Sequence, residues 1–336
     1  MNIHKKYKSV VVTRRGGPEA LEVIENDLRP PSVDEVRIKV LAAPVSLPDV
    51  EARYGRTPFA PRAPFVPGYA AIGDVDRGGE RISKASVGDR VGALTAYGGY
   101  AEYMYLREDQ LIPVPATLDP GEAIPLILNY IVAYQCLHRS AKVKAGEKVL
   151  IIGASGGIGT AFLQLGKLAD LSMYGIASKG KHSILAEYGA TPIDYHTQDF
   201  VEVIRQARPQ GLDAVFDGVG GDYIKRGFSL LRRGGVFVGY ANPLSISRTF
   251  WFLAQILLFN FLPNGRSATY YSTGKSRLNM EPFLLDWAML FKWLEEGKIK
   301  PIIAKRFPIL EAAQANELLE GGQVVGNVVL IAPEWT

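Results

Sequence analysis

Gly153, Gly156 and Gly159 interrupt the passage Lys148-Val149-Leu150-Ile151-Ile152-Gly153-Ala154-Ser155-Gly156-Gly157-Ile158-Gly159, which runs from an apolar strand through a tight turn into a helix. Glycines at such a turn let the backbone approach a ligand closely, and the positive end of the following helix favours an anion. The passage therefore predicts a pyrophosphate cradle in which Ser155, Gly156, Gly157 and Ile158 face the ligand. The spacing departs from Gly-x-Gly-x-x-Gly, because Ala154 stands where the second glycine would be. About twenty residues on, an NAD-binding chain would place an acid against the ribose hydroxyl. This chain has Ser178-Lys179-Gly180-Lys181 instead. A hydroxyl and two ammonium groups at that place would hold a 2′-phosphate by charge-assisted hydrogen bonds, so the expected cofactor is NADP(H). The competing reading makes Lys179 and Lys181 part of a solvated loop, the common fate of lysines.

The elements around these residues support the cradle. Ile158, Ala161, Phe162, Leu165, Leu168 and Ala169 recur at the three-and-four spacing of one buried helix face. The next strand is Met173-Tyr174-Gly175-Ile176-Ala177, and further strand candidates lie at 191–195, 214–217, 236–240 and 268–272. Such alternation of strand and helix from about Ala123 onward predicts a doubly wound parallel sheet. Before it, short strands at 8–12, 21–25 and 36–40 are separated by Pro- and Gly-rich loops, which reads as a mostly β domain. Helix 282–295 leads into a strand-like run at 298–303, and another strand-like run, 324–331, closes the chain and is expected to rejoin the first domain. The expected fold class is α/β: a Rossmann-type domain over 128–296 and a mostly β substrate domain from 1–127 and 297–336.

Composition fits an enzyme. The 336 residues suffice for two cored domains, and 47% apolar with 21% charged residues is ordinary for a globular chain. A net charge of +4, read as dispersed, gives no case for nucleic acid. Cys136 is the one cysteine, so no intrachain disulfide can form; this fits a reducing cytosol. Ala133-Tyr134-Gln135-Cys136-Leu137 reads as buried helix, and Cys136 as a packing thiol. The segment 1–8 lacks the apolar core of a signal peptide, and the expected location is cytoplasmic.

A family resemblance rests on separate segments spread over the chain. They are 65–69 (Phe-Val-Pro-Gly-Tyr), 87–91 (Val-Gly-Asp-Arg-Val), 98–103 (Gly-Gly-Tyr-Ala-Glu-Tyr), 129–134 (Asn-Tyr-Ile-Val-Ala-Tyr), the glycine turn and 178–182. Later come 192–196, 217–221 (Asp-Gly-Val-Gly-Gly) and 326–330 (Gly-Asn-Val-Val-Leu). With these, the chain resembles the medium-chain dehydrogenase/reductase superfamily, its zinc-independent quinone oxidoreductase branch and, within it, the vesicle amine transport protein 1-like proteins. The resemblance implies that the β domain is GroES-like. Zinc-dependent relatives have a cysteine ligand where this chain has Ser46, a His-Glu pair where it has Tyr69-Ala70, and a proton-relaying hydroxyl where it has Pro48. A hydroxyl, a phenol and a methyl cannot replace a thiolate and an imidazole, so no metal site is expected. The reaction left is hydride delivery to a small apolar electrophile activated by conjugation, a quinone or an α,β-unsaturated carbonyl.

The same resemblance places Ser46, Asp49, Asn129 and Val132 around the nicotinamide and Tyr195 beside the 2′-phosphate. Gly218, Val219, Gly239, Tyr240 and Ala241 end strands at the carboxyl edge of the sheet, where ligands of such folds bind. Asn327 stands where a lysine is common. Tyr54 and Tyr69 are candidate donors to a developing enolate; either can instead be a packed amphipathic side chain, and Asp49 can be a loop anchor. With no triad and no carboxylate pair, catalysis would be mainly positioning. The alternative function is an NADPH-binding sensor or scaffold with little turnover. One segment stands apart: Thr249-Leu262 is almost unbroken apolar sequence, too short for a membrane span of about 20 residues. It is a buried or homodimer-interface helix, a hydrophobic lid over the substrate, or a peripheral membrane contact.

Overall fold

The computed structural model describes residues 5–57, 60–240 and 245–335. The chain divides into two compact units, Met1–Leu128 with Trp287–Thr336, and Asn129–Asp286.

In chain order the first unit opens with β1 (Lys6–Val12), β2 (Leu21–Asp27) and β3 (Glu35–Val45), then α1 (Leu47–Arg53), β4 (Ala70–Gly78), β5 (Arg90–Leu94), β6 (Tyr103–Arg107), β7 (Ile112–Pro113) and α2 (Pro120–Pro125). Strands β1 and β2 form an antiparallel ribbon. The others build a seven-stranded sheet around β3, whose inward side chains are Val36, Ile38 and Val40.

Helical structure continues past α2 through a π-turn at Leu126–Tyr130, α3 (Ile131–Gln135) and a second π-turn at Cys136–Ala141. The second unit then alternates. It runs β8 (Lys148–Ile152), α4 (Gly157–Leu168), β9 (Ser172–Ala177), α5 (His182–Glu187), β10 (Thr191–Asp194), α6 (Phe200–Ala207), β11 (Leu212–Asp217), α7 (Asp222–Ser229), β12 (Leu231–Gly239), α8 (Ile246–Phe261) and β13 (Ser267–Tyr270). Every strand pair in this sheet is parallel, in the order β10-β9-β8-β11-β12-β13. Buried on both faces, the strands are near-continuous apolar runs such as Val149-Leu150-Ile151-Ile152. The order reverses between β8 and β11, the switch point at which such folds bind ligands.

Helix α9 (Glu281–Glu295) crosses from one unit to the other in sequence, and β14 (Ile303–Pro308), α10 (Ala312–Glu320) and β15 (Asn327–Ile331) complete the first. Strand β15 pairs antiparallel with β3, Val328 opposite Val45, so the tail rejoins the first unit. The segment 298–303 is not the strand: pairing starts at Ile303 opposite Asn327. Pro301, with no amide hydrogen, cannot feed a ladder from inside the earlier span.

Candidate functional site

The sheet register sets the second unit's site. Ile152 pairs with Ile176 on one side and Asp217 on the other; Ala177 pairs with Asp194, and Asp217 with Gly239. Tyr195, Ser178, Gly153, Gly218 and Tyr240 each follow one of these strands, so they stand in a row along the carboxyl edge, with neighbouring strands about 4.8 Å apart. Residues separated by tens of positions in sequence become adjacent through this register alone.

At the centre, Gly153 has φ +84° and turns the chain from β8 toward α4. A side chain on Gly159 would lie 2.2 Å from the Gly153 carbonyl oxygen, so only glycine lets the helix start this close to the strand. A side chain on exposed Gly156 would meet nothing nearer than 3.8 Å; that space over the first turn of α4 is open. The first helical amides have no partners within the helix, and the twelve-residue α4 carries no acid in its first turn to oppose an incoming anion. Ala154 is fully buried, and its methyl packs where a side chain on Gly175 of β9 would come within 2.9 Å. The alanine in place of the second glycine thus points into the protein and leaves the cradle open. These features fit a dinucleotide pyrophosphate.

Beyond β9, the Lys181 amide donates to the Ser178 carbonyl at 2.9 Å and closes a short turn. Ser178 and Lys181 are half-buried and Lys179 is exposed. Partial burial lowers the Lys181 pKa, so its charge is incompletely solvated and would gain from an anion. The Tyr195 ring is exposed and packs against His196, with ring centroids 4.1 Å apart and planes tilted by 39°. On the other side of the switch point, Asp217 ends β11, and its Oδ1 accepts the amides of Val219 (2.8 Å) and Gly220 (2.9 Å). Its Oδ2 is buried without a partner among the described residues, and burial raises the pKa of this carboxyl. Asp217 is not among the cofactor contacts expected from the sequence. Its signal was an acid closing an otherwise apolar strand just before Gly-Val-Gly-Gly. Val219 is exposed beside Gly153, and the partly buried Tyr240 ring lies across Gly218. Gly239 is buried; Ala241 lies outside the described residues.

Asn129, half-buried, and Val132, buried, belong to the helical stretch interrupted by two π-turns. Such turns free backbone groups and are frequent at functional sites. This stretch is clamped to its own unit. Tyr271 Oη donates to Gln135 Oε1 (3.0 Å), Gln135 Nε2 to Asp286 Oδ2 (2.7 Å), and Arg139 grips Asp286 with Nε (2.6 Å) and Nη2 (2.7 Å). Cys136 is fully buried and burial raises its thiol pKa, which makes it a packing residue.

In the first unit, Ser46 Oγ donates to Asp49 Oδ2 at 2.5 Å, the Gly68 amide donates to Asp49 Oδ1 at 2.9 Å, and Tyr100 Oη approaches Oδ2 at 3.4 Å. Asp49 is 2% exposed, and burial outweighs these hydrogen bonds, pushing its pKa from 3.8 to about 6. Gly68 has φ +109°, and a side chain there would strike the Gly99 backbone at 2.5 Å. Asp49 therefore ties α1 to two crossing turns. Tyr54 Oη donates to Glu320 Oε2 at 3.0 Å, its ring lies under the guanidiniums of Arg53 and Arg56, and buried Arg53 pairs with the same Glu320. Tyr69 is half-buried at the start of β4. Asn327 is buried, with its Nδ2 on the Ile302 carbonyl at 2.9 Å. Among the described residues no three His, Cys, Asp or Glu side chains converge as metal ligands.

Comparison with known proteins agrees with this architecture. Residues 32–116 match the alcohol dehydrogenase GroES-like domain family, and residues 188–330 the zinc-binding dehydrogenase family. The human synaptic vesicle membrane protein VAT-1 homolog is 30% identical over 96% of this chain and 86% of its own. A quinone oxidoreductase from Lama guanicoe is 30% identical over 96% of this chain and 97% of its own. Among solved structures, a mycobacterial protein complexed with NADPH superposes with a TM-score of 0.83 at 25% identity, covering 96% of this chain and 99% of that one.

Proposed function

Because this chain belongs to the medium-chain dehydrogenase/reductase superfamily, in the zinc-independent quinone oxidoreductase branch with the VAT-1 homologues, we propose that it is an NADPH-dependent reductase of quinones or α,β-unsaturated carbonyls that works without zinc. The observation that carries the reading is the row of strand ends, in which the open first turn of α4 sits next to Ser178, Lys181 and Tyr195. The α4 amides hold the pyrophosphate, and Ser178, Lys179 and Lys181 hold the additional phosphate. Asp217 fixes the Gly218-Val219 turn at the switch point. When bound, NADPH supplies the hydride.

The substrate is small, apolar and already polarised by conjugation, which removes the need for a Lewis acid. Ser46, Tyr69 and Ala70 offer a hydroxyl committed to Asp49, a phenol and a methyl, a donor set that suits no catalytic zinc. Tyr54 and Tyr69 remain the two candidate proton donors of this reading, and the Tyr54 hydroxyl also donates to Glu320. A homodimer belongs to the same reading, twofold dimers being the commonest oligomers. The second reading, an NADPH-binding protein with little turnover, draws on the same commitment of Tyr54 to Glu320 and of Asp49 to Ser46 and Gly68.

One experiment separates the two: NADPH binding measured alone, then NADPH consumption with a panel of quinones and enones before and after chelator treatment. Turnover that survives the chelator is expected. Binding without turnover on any of the panel would select the second reading, and activity lost with the chelator would remove zinc independence.

A further inference from the structure

Two histidines, His182 and His196, stand at the end of the row of strand ends assigned to the 2′-phosphate, beside Ser178, the two lysines and Tyr195. Ala177, the last residue of β9, pairs with Asp194, the last of β10. The His182 ring folds back onto this joint, its Nε2 lying 3.1 Å from the Ala177 carbonyl oxygen. A carbonyl only accepts, so Nε2 carries the hydrogen and Nδ1 of the neutral ring carries none. Ala177 leads directly into Ser178, and Asp194 directly into Tyr195. The half-buried ring thus lies at the strand ends that carry both of these groups, and among the described residues it makes no second hydrogen bond.

The charges around the ring set its protonation. Lys179 and Lys181 share its turn, which the Lys181 amide closes on the Ser178 carbonyl, and two ammonium groups oppose a third positive charge beside them. From the β10 side Asp194 favours that charge. The Thr197 hydroxyl (2.8 Å) holds this carboxyl below the usual range, and the His196 amide (3.2 Å) and the charges of His196 and His182 lower it further. The exposed Tyr195 and His196 follow on the same side. On α5 itself the next ionisable group is Glu187, five positions along and round the helix. A phosphate monoester is close to doubly charged at neutral pH and above. Its arrival beside the turn reverses the balance, because a nearby anion favours the charged imidazole. The proton then goes to Nδ1, the ring atom left without one.

We propose that NADPH binding is coupled to uptake of a proton at Nδ1 of His182, which makes this residue a reader of the 2′-phosphate and ties the choice of NADPH over NADH to pH. The coupling presupposes the phosphate site proposed above, to which it adds a titratable member. Its sign follows from linkage: the charged ring gives its full advantage at lower pH, where it is protonated before the cofactor arrives, and the advantage is lost as pH rises. NADH lacks the phosphate and takes up no proton here.

Calorimetric titration in two phosphate-free buffers of different ionisation enthalpy counts the protons. At about pH 7.5 the phosphate is already ionised, so a site built of lysines alone takes up none. The wild type gains about half a proton or more per NADPH and none per NADH. Its NADPH-to-NADH affinity ratio falls about tenfold between about pH 6.5 and 8.5. His182→Gln keeps a donor for the Ala177 carbonyl but cannot titrate, so it abolishes the uptake and flattens the ratio against pH. Unchanged NADH affinity and thermal midpoint show that its fold is intact. His196→Gln, at the exposed ring, retains the uptake. Preferential NADPH binding without proton uptake by the wild type would overturn the coupling and leave the NADPH site standing, with His182 a plug at the strand ends. Uptake that persists in His182→Gln, or that disappears in His196→Gln, would overturn it equally. A wild type that does not prefer NADPH would overturn both the coupling and the phosphate site.

Discussion

The two units treat their polar groups in opposite ways. In the first, most polar groups around α1 are spent on one another, Ser46, Gly68 and Tyr100 on Asp49, Tyr54 and Arg53 on Glu320, while Glu51 Oε2 and Arg53 Nε are left without a partner among the described residues. Along the carboxyl edge of the second, groups stand ready for something outside the chain. The amides of the α4 first turn and the exposed Lys179 and Tyr195 lie along one edge, and the second oxygen of Asp217 has no partner among the described residues. Internally satisfied polar clusters rigidify a fold, whereas a binding site leaves its donors for the ligand. The contrast implies that substitutions at the edge of the second unit change binding and leave stability alone, while those in the first unit do the reverse.

The largest effect expected from this contrast is at the lysines. Lys179→Ala/Lys181→Ala should weaken NADPH by about 1.5–3 kcal/mol for each charged hydrogen bond lost, with NADH affinity and the thermal midpoint almost unchanged. Isothermal titration with both cofactors measures it. Equal losses for NADPH and NADH would mean that Ser178–Lys181 is only a solvated loop, and the distinction between the two units would fail at its strongest point.

Sequence pattern revealed the second unit more fully than the first, for physical reasons. Parallel strands buried on both faces are continuous apolar runs, and the glycine turn lies within a local strand-turn-helix whose period is visible in one short window. Ala154 looked like a defect in the motif because its compensation, the missing side chain of Gly175, lies on another strand. In the first unit the decisive partners are remote: Arg53 and Tyr54 meet Glu320, more than 260 positions away, and no local pattern announces that contact. The π-turns flanking α3 leave no sequence period of their own, so 129–134 was recognised by its residue types and not by its geometry. For the run 249–262, composition showed an apolar helix, but which half the sheet covers depends on Phe228 and Tyr270.

A second test works on the first unit through pH. An acid whose folded pKa is raised keeps its proton to higher pH in the folded state than in the unfolded one, so its contribution to stability falls as pH rises through the interval. For Asp49 the interval runs from 3.8 to about 6, worth about 3 kcal/mol that is present below it and lost above it. Asp49→Asn keeps an acceptor for the Gly68 amide and carries no charge. Its stability relative to wild type should therefore rise between about pH 4 and 6 and level off above, as urea unfolding at a series of pH values would show. An unchanged difference across that range would mean that Asp49 is ionised without penalty, and the first unit's network would no longer differ in kind from the second's open edge.

The smallest effect belongs to Tyr54, and it discriminates the most sharply. If its hydroxyl serves the first unit's scaffold, Tyr54→Phe removes one hydrogen bond to Glu320 while the ring keeps its contacts with the Arg53 and Arg56 guanidiniums. The expected cost is about 1 kcal/mol of stability, with kcat for an enone unchanged and no shift in its pH profile. If the hydroxyl instead supplies the proton to an enolate, stability would hardly move and kcat would fall by about 100-fold or more, the usual worth of a positioned proton donor. Glu320→Gln separates the cases further. It leaves an acceptor for Tyr54 but removes the charge that faces Arg53, so it lowers stability by more than Tyr54→Phe does. In the scaffold reading both variants retain turnover, because neither group reaches the reacting atoms.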